Sequence, residues 1–517
     1  MEMETFPGPL PSDTPELPDA QTVSATVSAL ASANPRFAVM LTDGVPPSDA
    51  LAHLGLHFFR EHQIPEASAA FRSAVALAPD NPVLWTNYGT ILDSAGSFVE
   101  AAACLEHSLV LSRHQPSTWL LLGLVRKKRG DLDGCEAAYR IALEQEPDSS
   151  TAWQCLGLLK NERTEYAEAI ECFVATLKFG PPNAAILANL GKLYYQVGRI
   201  QEACEAYDQA VCLDTLNQHY RQMARTAGFV RDMLNGESVD EALATYQHSL
   251  AATDNDVEKD QLELFRTAFG QLSGFGHVDA AKRVGEKYLE LWPNSTVLGY
   301  LMRAIDGDPG LDRSPSGYIV EYFDSFADGF DAKLVGVLGY DAPEKLCSVI
   351  RKATSASHKY ETLDAGCGTG LCGPLLRPLA NELTGVDLSP KMLEQAAKRG
   401  VYDRLICEEL TAFLGRFPGH FDLIVAADVV VYIGELIPIF AAAATTIRAG
   451  GLFAFSTELW AGERYRLQPS GRFAHSPQYV RSLAGPDFVE RVCAETTIRL
   501  EAGRRVLGNL FVFQRRP

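Results

Sequence analysis

Five glycines recur every 34 residues in the first half of the chain, at Gly55, Gly89, Gly123, Gly157 and Gly191. Other residues keep the same phase. A large apolar residue stands four positions before each glycine, a small one stands twelve after it, and an aromatic one stands sixteen after it in four of the five cases. Small residues at fixed positions allow two helices to touch. The pattern therefore predicts five helix-turn-helix units over residues 48–217.

A period of 34 residues is typical of tetratricopeptide repeats, which stack into an all-α solenoid. The period degrades over 218–306, which we interpret as degenerate repeat-like helices that cap the solenoid. Residues 1–44 have no clear period and are expected to be disordered. The turn-rich run 307–317 contains several Gly, Pro, Asp and Ser residues and predicts a linker between two domains.

The second half, 318–517, alternates apolar runs with helical segments, as an α/β domain does. Strands are predicted at 360–363, 383–387, 405–410, 421–428 and 452–458. The run 421–428 is apolar apart from Asp422 and its final acid, which is typical of a parallel strand buried on both faces. Two further strands, 496–500 and 510–514, are separated by a short connection and predict an antiparallel hairpin. The expected sheet is mostly parallel with this hairpin added.

A glycine-rich turn follows the first predicted strand of that domain. Asp364 precedes three glycines at alternate positions, Gly366, Gly368 and Gly370. The absence of Cβ atoms lets a ligand approach the backbone closely. A carboxylate at this place suits an ammonium group better than a phosphate. Asp387 ends the second strand, where a carboxylate can accept hydrogen bonds from two ribose hydroxyls.

These residues resemble the donor site of class I S-adenosylmethionine-dependent methyltransferases, which have a Rossmann-like fold. Nearly the whole chain resembles a bacterial group of such enzymes that carry N-terminal tetratricopeptide repeats. The resemblance implies S-adenosyl-L-methionine as the methyl donor. The residues that it implies for donor binding are Asp364, Gly366, Gly368, Gly370, Asp387, Leu388, Met392, Glu409, Leu410 and Asp428.

A nicotinamide cofactor is the alternative ligand. Residues 368–373 also match G-x-G-x-x-G, and Asp387 can then bind the ribose of a dinucleotide. Three features favour the methyl donor: Asp364 ahead of the glycines, the additional Gly366, and the segment after Asp387. In that segment Ser389 is a suitable N-cap and Pro390 a suitable first helical residue, so that Met392 lies near an adenine-sized face.

The sequence indicates the residues that would act on the methyl acceptor less specifically than those of the donor site. Asp428 and His475 are candidate bases for an oxygen or nitrogen acceptor, and Tyr432 and Glu458 are placed to line its pocket. Asp428 is followed by three valines and not by the Asn/Asp-Pro-Pro-aromatic loop of enzymes that methylate base amines or glutamine amides. A small-molecule or protein acceptor is therefore expected. The aromatic-rich segment 318–331 either folds over the donor or packs in the core.

The repeats predict a protein or peptide partner, because such solenoids bind peptides along their concave face. Asn87 and Asn189 stand two residues before their glycines, from where they can hold a peptide backbone. Two functions from different classes remain open. The first is a methyltransferase whose repeats recruit a partner or substrate. The second is a scaffold protein with a donor-binding but catalytically weak methyltransferase fold.

The composition of the chain limits the classes of partner and the cellular compartment that we expect. The chain has 517 residues, 47% of them hydrophobic, and a net charge of -19. Residues 1–317 hold 24 Lys and Arg against 42 Asp and Glu, and no basic patch suggests nucleic acid. The 11 cysteines include no C-x-x-C pair, so we expect no metal site and a reducing compartment. No export signal or membrane-length apolar run is evident, which predicts a soluble cytoplasmic protein.

Overall fold

The computed structural model describes residues 14–250, 257–307, 310–331, 340–354, 358–501 and 504–517. The chain divides into two compact units, residues 1–186 and 187–517. Within the described ranges no helix is both long enough and apolar enough to cross a membrane. In those same ranges no cluster of three or more His, Cys, Asp or Glu residues has an arrangement that suits a metal ion.

The first unit is built of antiparallel helix pairs. Its described helices are α1 (Ala20–Ala33), α2 (Pro35–Thr42), α3 (Pro47–Arg60), α4 (Ile64–Leu77), α5 (Pro82–Ser94), α6 (Phe98–Leu111), α7 (Pro116–Lys128), α8 (Leu132–Gln145), α9 (Ser150–Glu162) and α10 (Tyr166–Phe179). From α3 onwards each pair coincides with one 34-residue unit of the sequence. The predicted all-α repeat architecture is thereby confirmed.

The periodic glycines lie where the two helices of a repeat touch. A Cβ atom added to Gly55 would lie 2.8 Å from the ring of Phe71, and one added to Gly123 would lie 2.4 Å from that of Tyr139. The residue sixteen positions after each glycine, aromatic in four cases and Leu105 in the fifth, therefore occupies the space that the glycine leaves. The tryptophan four positions before it packs in the core, and the indole of Trp85 donates to the Pro79 carbonyl at 2.7 Å.

Helices α1 and α2 lie in the stretch that was predicted to be disordered. That prediction is wrong for 20–42. Both helices begin at side-chain caps, since Asp19 accepts from the Thr22 amide at 2.7 Å and Asn34 from the Phe37 amide at 3.1 Å. They bury few residues, with only Val23 and Phe37 counted as fully buried. A segment held by caps and two apolar anchors shows little hydrophobic periodicity in its sequence.

The second unit begins with further helices: α11 (Ala184–Gln196), α12 (Ile200–Leu213), α13 (Gln218–Leu234), α14 (Val239–Leu250), α15 (Val257–Gly274), α16 (Val278–Leu291), α17 (Thr296–Ile305) and α18 (Ser316–Asp324). α12 to α17 share one hydrophobic core, which includes Phe229, Phe265, Tyr288 and Leu298. The prediction of repeat-like helices after 217 agrees with this arrangement.

The run predicted as a linker packs against the sheet domain. Leu311 and Ser314 are buried, and the Ser314 amide donates to the Tyr432 carbonyl at 2.9 Å. The Asp312 carbonyl accepts from the amides of Gly434 and Glu435. Composition predicts a turn-rich segment but does not say whether its backbone groups pair with the solvent or with the protein. The expectation of a linker that separates two domains is therefore corrected.

A mixed sheet forms the rest of the unit. Its strands are β1 (Tyr360–Ala365), β2 (Ala380–Asp387), β3 (Arg404–Cys407), β4 (Phe421–Ala426), β5 (Ile447–Leu459), β6 (Tyr465–Leu467), β7 (Phe473–His475), β8 (Phe488–Glu501) and β9 (Arg504–Arg515). The helices between them are α19 (Ala342–Ala353), α20 (Gly373–Leu376), α21 (Pro390–Lys398), α22 (Leu410–Leu414), α23 (Ile437–Thr446) and α24 (Pro477–Ala484). Cores of apolar residues lie on both faces of the sheet.

Strand order places the glycine-rich turn at a topological switch point. The strands run in the order β3-β2-β1-β4-β5, all parallel, and β9 pairs antiparallel with both β5 and β8. The chain leaves β1 towards β2 on one side and β4 lies on the other, and ligands of open α/β sheets bind at such a point. The predicted parallel sheet with its terminal hairpin is confirmed, while the short strands β6 and β7 were not predicted.

Candidate active site

A cavity of about 210 Å³ lies at the carboxyl edge of β1, β2 and β4. Its described wall contains most of the residues that the sequence singled out. Those that line it are Asp364, Gly366, Gly368, Asp387, Leu388, Met392, Glu409, Leu410, Asp428 and Tyr432. Gly370, His475 and Glu458 are not part of this wall. The residues that line it are spread over 69 positions of sequence and meet because parallel strands end at a common edge.

Asp364 is buried at the end of β1, with 1% of its surface exposed. Its Oδ2 accepts a hydrogen bond from the Tyr402 hydroxyl at 2.6 Å. Burial raises the pKa of this carboxyl to about 7, although the Tyr402 hydrogen bond acts in the opposite direction. A cationic group placed beside it would favour the ionised form. This carboxylate is thus suited to receive an ammonium group in the cavity.

The glycine-rich turn is tied to β2 by its backbone. The amides of Gly366 and Cys367 donate to the Val386 carbonyl at 2.7 and 3.0 Å. Gly368 has a φ of +54°, and a Cβ atom added there would meet no atom within 4 Å. The space above Gly368 is therefore open, and it belongs to the cavity. A ligand can lie directly on this backbone.

Gly370 lies outside the described cavity wall. A Cβ atom added to it would lie 2.9 Å from the Tyr402 ring and 3.1 Å from the Arg399 side chain. Its lack of a side chain allows these residues to pack against the turn. The predicted contact of Gly370 with the donor stays a prediction. Tyr402, which packs against it, is the same residue that holds Asp364.

Asp387 closes β2 and fastens the turn. Its Oδ2 accepts from the Gly368 amide and its Oδ1 from the Ser389 amide, each at 2.8 Å. Burial raises the pKa of this carboxyl, and the backbone hydrogen bonds oppose that effect. Each carboxylate oxygen can accept more than one hydrogen bond. Both oxygens can therefore also accept from a pair of vicinal hydroxyls.

Met392 and Glu409 form the far end of the donor half. Ser389 caps α21 by accepting from the Met392 amide at 3.1 Å, which fixes the buried Met392 at the cavity wall. Glu409 caps α22 through the Ala412 amide at 2.8 Å and accepts from Arg313 at 2.7 Å. Burial acts to raise the pKa of Glu409, but these contacts outweigh it and the pKa lies below its ordinary value.

An aromatic strap covers the cavity. We use this name for residues 316–331, which contain α18 and the short 3-10 turn Ala327–Gly329. Tyr322, Phe323, Phe326 and Phe330 line the cavity, whereas Tyr318 is buried in a core with α17. Core packing is thus confirmed for Tyr318, while folding of the other rings over the donor stays a prediction.

Polar contacts fasten the strap to the donor loops. Asp324 accepts from Ser389, Asp331 accepts from Thr369 and Arg399, and Asp328 accepts from Gln395 at 2.7 Å.

The acceptor end of the cavity contains a buried ionic network. Asp428 has a φ of +57°, a strained conformation for a residue other than glycine, and its amide donates to the Ser456 hydroxyl at 2.8 Å. Arg499 donates to Asp428 Oδ1 at 3.3 Å and forms an ion pair with Glu458. Only 3% of the Arg499 side chain is exposed. This network fixes where the Asp428 carboxylate points.

Arg499 was not predicted from the sequence. It follows Ile498, where the pairing of β8 with β9 shifts register as in a β-bulge. Bulges change the direction of a side chain and are frequent beside active sites. Tyr340 and Arg472 also line the cavity without having been predicted. No role was predicted for any of the three, and only the folding of distant segments brings them to Asp428.

Tyr432 and Glu458 occupy different places. Tyr432 lines the cavity and its hydroxyl accepts from Arg472 Nε at 3.3 Å, while burial raises its pKa to about 12. The phenol therefore stays protonated at neutral pH. Glu458 lies behind Arg499 and faces a neighbouring groove instead. Its predicted place in the acceptor pocket is corrected to that of a partner for Arg499.

His475 is buried away from the cavity. It has no exposed surface, and its Nε2 lies 2.8 Å from the Ile433 carbonyl oxygen. Burial lowers its pKa to about 4, so the ring is neutral at pH 7. A base must reach the proton that it removes, and His475 lies too deep in the core for that. The prediction of His475 as a catalytic base is therefore corrected.

Comparison with known proteins agrees with both halves of the chain. A family model described as a methyltransferase domain matches residues 363–453. Two models for tetratricopeptide repeats match residues 53–112 and 156–217 and residues 116–159. The first match contains the glycine-rich turn, Asp387, Glu409 and Asp428. The other matches cover the periodic glycines.

Similar curated proteins match about a fifth of this chain. Human methyltransferase-like protein 27 is 37% identical over 106 residues, which is 20% of this chain and 41% of that protein. The ubiquinone biosynthesis O-methyltransferase of Albidiferax ferrireducens is 29% identical over 105 residues, 19% of this chain and 40% of that protein. The chain thus spans about two fifths of the length of these relatives.

Among solved structures, the N-methyltransferase NodS of Bradyrhizobium japonicum in complex with S-adenosyl-L-homocysteine is similar over 38% of this chain and 98% of its own. The sequence identity is 16% and the TM-score is 0.32.

Proposed function

We propose that this chain, which carries a methyltransferase domain and tetratricopeptide repeats, transfers a methyl group from S-adenosylmethionine to an oxygen or nitrogen atom of its acceptor. The observation that carries the proposal is a pair of carboxylates, the buried Asp364 and the partly buried Asp387, on either side of the open backbone of Gly368. Because the matches cover part of the chain and part of the relatives, the reaction of the whole protein is our inference.

The donor fits the described residues group by group. Asp364 would hold the ammonium of its methionine portion, and Asp387 would accept from both ribose hydroxyls. Met392 and Leu410 would pack against the adenine, whose amino group can donate to Glu409. The bound donor supplies a methyl group that its sulfonium has already activated, and much of the acceleration can then come from orientation. The aromatic strap would keep water away from the transfer.

The acceptor would enter beside Asp428. A carboxylate held by Arg499 is in place to accept a hydrogen bond, and finally the proton, from an attacking hydroxyl or amine. Tyr432 stays protonated and can donate a hydrogen bond to the acceptor. The arrangement supports oxygen and nitrogen chemistry equally. Asp428 is therefore our proposed base and orienting group.

The repeats would bind a protein or peptide and bring it to the enzyme. Repeats of this family stack into extended concave surfaces that bind such partners. Asn87 is partly exposed in α5 and remains a candidate for holding a peptide backbone. The alternative function is a scaffold protein with a catalytically weak methyltransferase domain, and one outcome distinguishes it from the enzyme. Such a protein would bind the donor without transferring its methyl group.

Calorimetry and label transfer test the proposal. We expect S-adenosylmethionine and S-adenosylhomocysteine to bind the full chain and NAD not to bind. Transfer of tritium from methyl-labelled donor to molecules of the source cell, lost in Asp428→Ala, would then identify the enzyme. Binding of NAD in place of the donor would refute the donor assignment. Donor binding without any transfer would favour the scaffold.

A further inference from the structure

A second and larger cavity lies between the end helices of the array and the sheet domain. Its volume is about 1060 Å³. One wall is formed by α15, α17 and α18, and the other by residues 458–461, 468–470 and 506–507, which belong to β5, β9 and the loops of the sheet. We call it the helix groove. All of its lining residues belong to the second unit of the chain.

The helix groove adjoins the acceptor end of the active-site cavity. Tyr322 and Phe326 of the strap line both spaces. Arg499 faces the cavity and Glu458 faces the groove, and the two side chains pair directly. At this point the partition is therefore a single layer of side chains. A molecule in the groove lies next to the place where the proposed base, Asp428, is held.

The lining of the groove combines apolar and acidic groups. Phe269, Leu298 and Trp460 contribute apolar surface, and the charged residues are Glu263, Arg266, Glu321 and Glu458. Arg266 pairs with Glu321 at 3.0 Å, and Glu458 pairs with Arg499. The exposed carboxylate of Glu263 adds a further negative charge on α15. Within the second unit, residues 187–317 hold 19 Asp and Glu against 12 Lys and Arg, so a cationic partner is attracted to this side.

Helix α15 also exposes its backbone to the groove. Gly270 and Gly274 are one helical turn apart and both line it. A Cβ atom added to either would meet no atom within 4 Å. An extended chain can therefore approach the helix closely along this face. The space is about five times that of the adjoining cavity, more than a small acceptor alone would use.

We propose that the methyl acceptor is a side chain of a basic polypeptide segment that binds in the helix groove and reaches Asp428 between the strap and the Arg499–Glu458 pair. This inference rests on the proposed function and specifies its substrate class. It assigns the end helices of the array a direct part in acceptor binding. The segment lies along α15, and its cationic residues face Glu263.

Two groove variants and two matched controls test the inference in the full chain. Gly270→Trp fills the groove from an open position, and Glu263→Lys reverses its exposed charge. Gly299→Trp in α17 and Glu286→Lys in α16 make the same changes at residues that do not line the groove. Circular dichroism and thermal unfolding monitor folding. Binding of S-adenosylhomocysteine is measured for every variant.

The readout is tritium from methyl-labelled donor in an extract of the source cells depleted of small molecules. We expect the wild type to label acid-precipitable material that proteases release and nucleases do not. Each groove variant should label this material at least about tenfold less than the wild type does, with an unchanged affinity for S-adenosylhomocysteine. Each control variant should label it as strongly as the wild type does. Labelling should also fall as the salt concentration rises, since the groove attracts a cation.

Several results would overturn the inference. One is label that appears only when small metabolites are returned to the extract. Others are label that nucleases release and the absence of label in protein. The last is a result in which the groove variants label protein as the wild type does. Failure of the proposed function is recognised separately. In that case the wild type binds no S-adenosylhomocysteine, or it binds it and labels neither macromolecules nor small molecules.

Discussion

At the scale of single residues, the two carboxylates of the donor half differ in their surroundings. Asp387 receives backbone amides on both oxygens, whereas Asp364 receives one phenolic hydroxyl and is more deeply buried. Burial without a cation is why the pKa of Asp364 rises to about 7. The two acids therefore suit different groups, a hydroxyl pair at Asp387 and an ammonium at Asp364.

Donor affinity is expected to depend on pH through Asp364. Below about pH 7 the free protein holds a proton on this carboxyl. Binding of an ammonium group requires the proton to leave, so affinity should fall by about tenfold per pH unit well below that value. An ordinary α-amino group loses its own proton near pH 7.7–8.0, so affinity should fall again at higher pH.

Calorimetry of S-adenosylhomocysteine between pH 5 and 9, in buffers of different ionisation enthalpy, measures both the affinity and the proton released. In Asp364→Asn the low-pH decline should disappear, together with the proton release. An affinity of the wild type that stays constant from pH 5 to 7 would place the ammonium elsewhere.

Asp387→Ala should weaken S-adenosylhomocysteine strongly without unfolding the domain. Two charge-assisted hydrogen bonds to the ribose would be lost, each worth about 1.5–3 kcal/mol, so the dissociation constant should rise by about a hundredfold or more. Calorimetry on the variant gives this value directly. Glu394→Ala, an exposed acid on the neighbouring α21 that does not line the cavity, is the control. Equal affinity of Asp387→Ala and the control would contradict the assignment.

At the scale of elements, the aromatic strap connects two parts of the second unit. Asp324 and Asp331 bind the donor loops, while Glu321 pairs with Arg266 of α15 and accepts from Thr296 of α17. Helix α18 is only nine residues long, so tertiary contacts and not helix propensity hold it in place. The strap is thus the element through which the end helices and the donor site can affect each other.

Phe323→Ala should accelerate release of the donor more than it slows binding. Phe323 lines the cavity and its ring contacts Tyr432 at a centroid distance of 5.6 Å, so its loss opens the cover of the site. Truncation of a phenylalanine to alanine costs about 3–5 kcal/mol of stability in a closed core. The partly exposed ring of Phe323 should contribute less, so the dissociation rate of the donor should rise by about tenfold to a hundredfold.

Stopped-flow measurements with S-adenosylhomocysteine give both rates. Phe179→Ala, at an exposed position of α10, is the matched control. A dissociation rate that is the same in both variants would mean that the strap does not cover the donor.

At the scale of the whole molecule, the sheet domain shares a core with the end of the helical array. Tyr300 of α17 packs against Tyr318 with ring centroids 4.4 Å apart, and its hydroxyl donates to the Gly471 carbonyl at 2.8 Å. Leu467 and Phe473 belong to the same cluster. A boundary at 307–317 would therefore cut through one hydrophobic core.

A fragment of residues 318–517 should consequently be unstable, and 184–517 should fold and bind the donor. Removing α17 uncovers Tyr318, Leu467 and Phe473. At about 1.5–3 kcal/mol for each large apolar side chain, the loss is on the order of 5 kcal/mol, comparable to the total stability of many domains. Solubility, thermal unfolding and S-adenosylhomocysteine binding of the two fragments are the measurements. A stable 318–517 fragment with full donor affinity would show that the shared core contributes little.

The sequence by itself determined the repeats and the donor half of the site. Gly55 and its four equivalents predict the helix pairs because the packing of each pair is local and recurs at one spacing. Asp364, Gly368 and Asp387 were predictable because they stand directly after apolar strands, and parallel strands bring their ends to one edge.

The tertiary structure alone decided the acceptor half and the boundaries of the units. Arg499 meets Asp428 across 71 residues of chain, through a bulge that no local pattern announces. His475 is of a residue type that often acts as a catalytic base, but it is buried away from the cavity. Gly370 packs on Tyr402, and the run 310–316 pairs with the loop after β4. Such outcomes depend on contacts between segments far apart in sequence, and hydrophobic periodicity carries no information about which of them will meet.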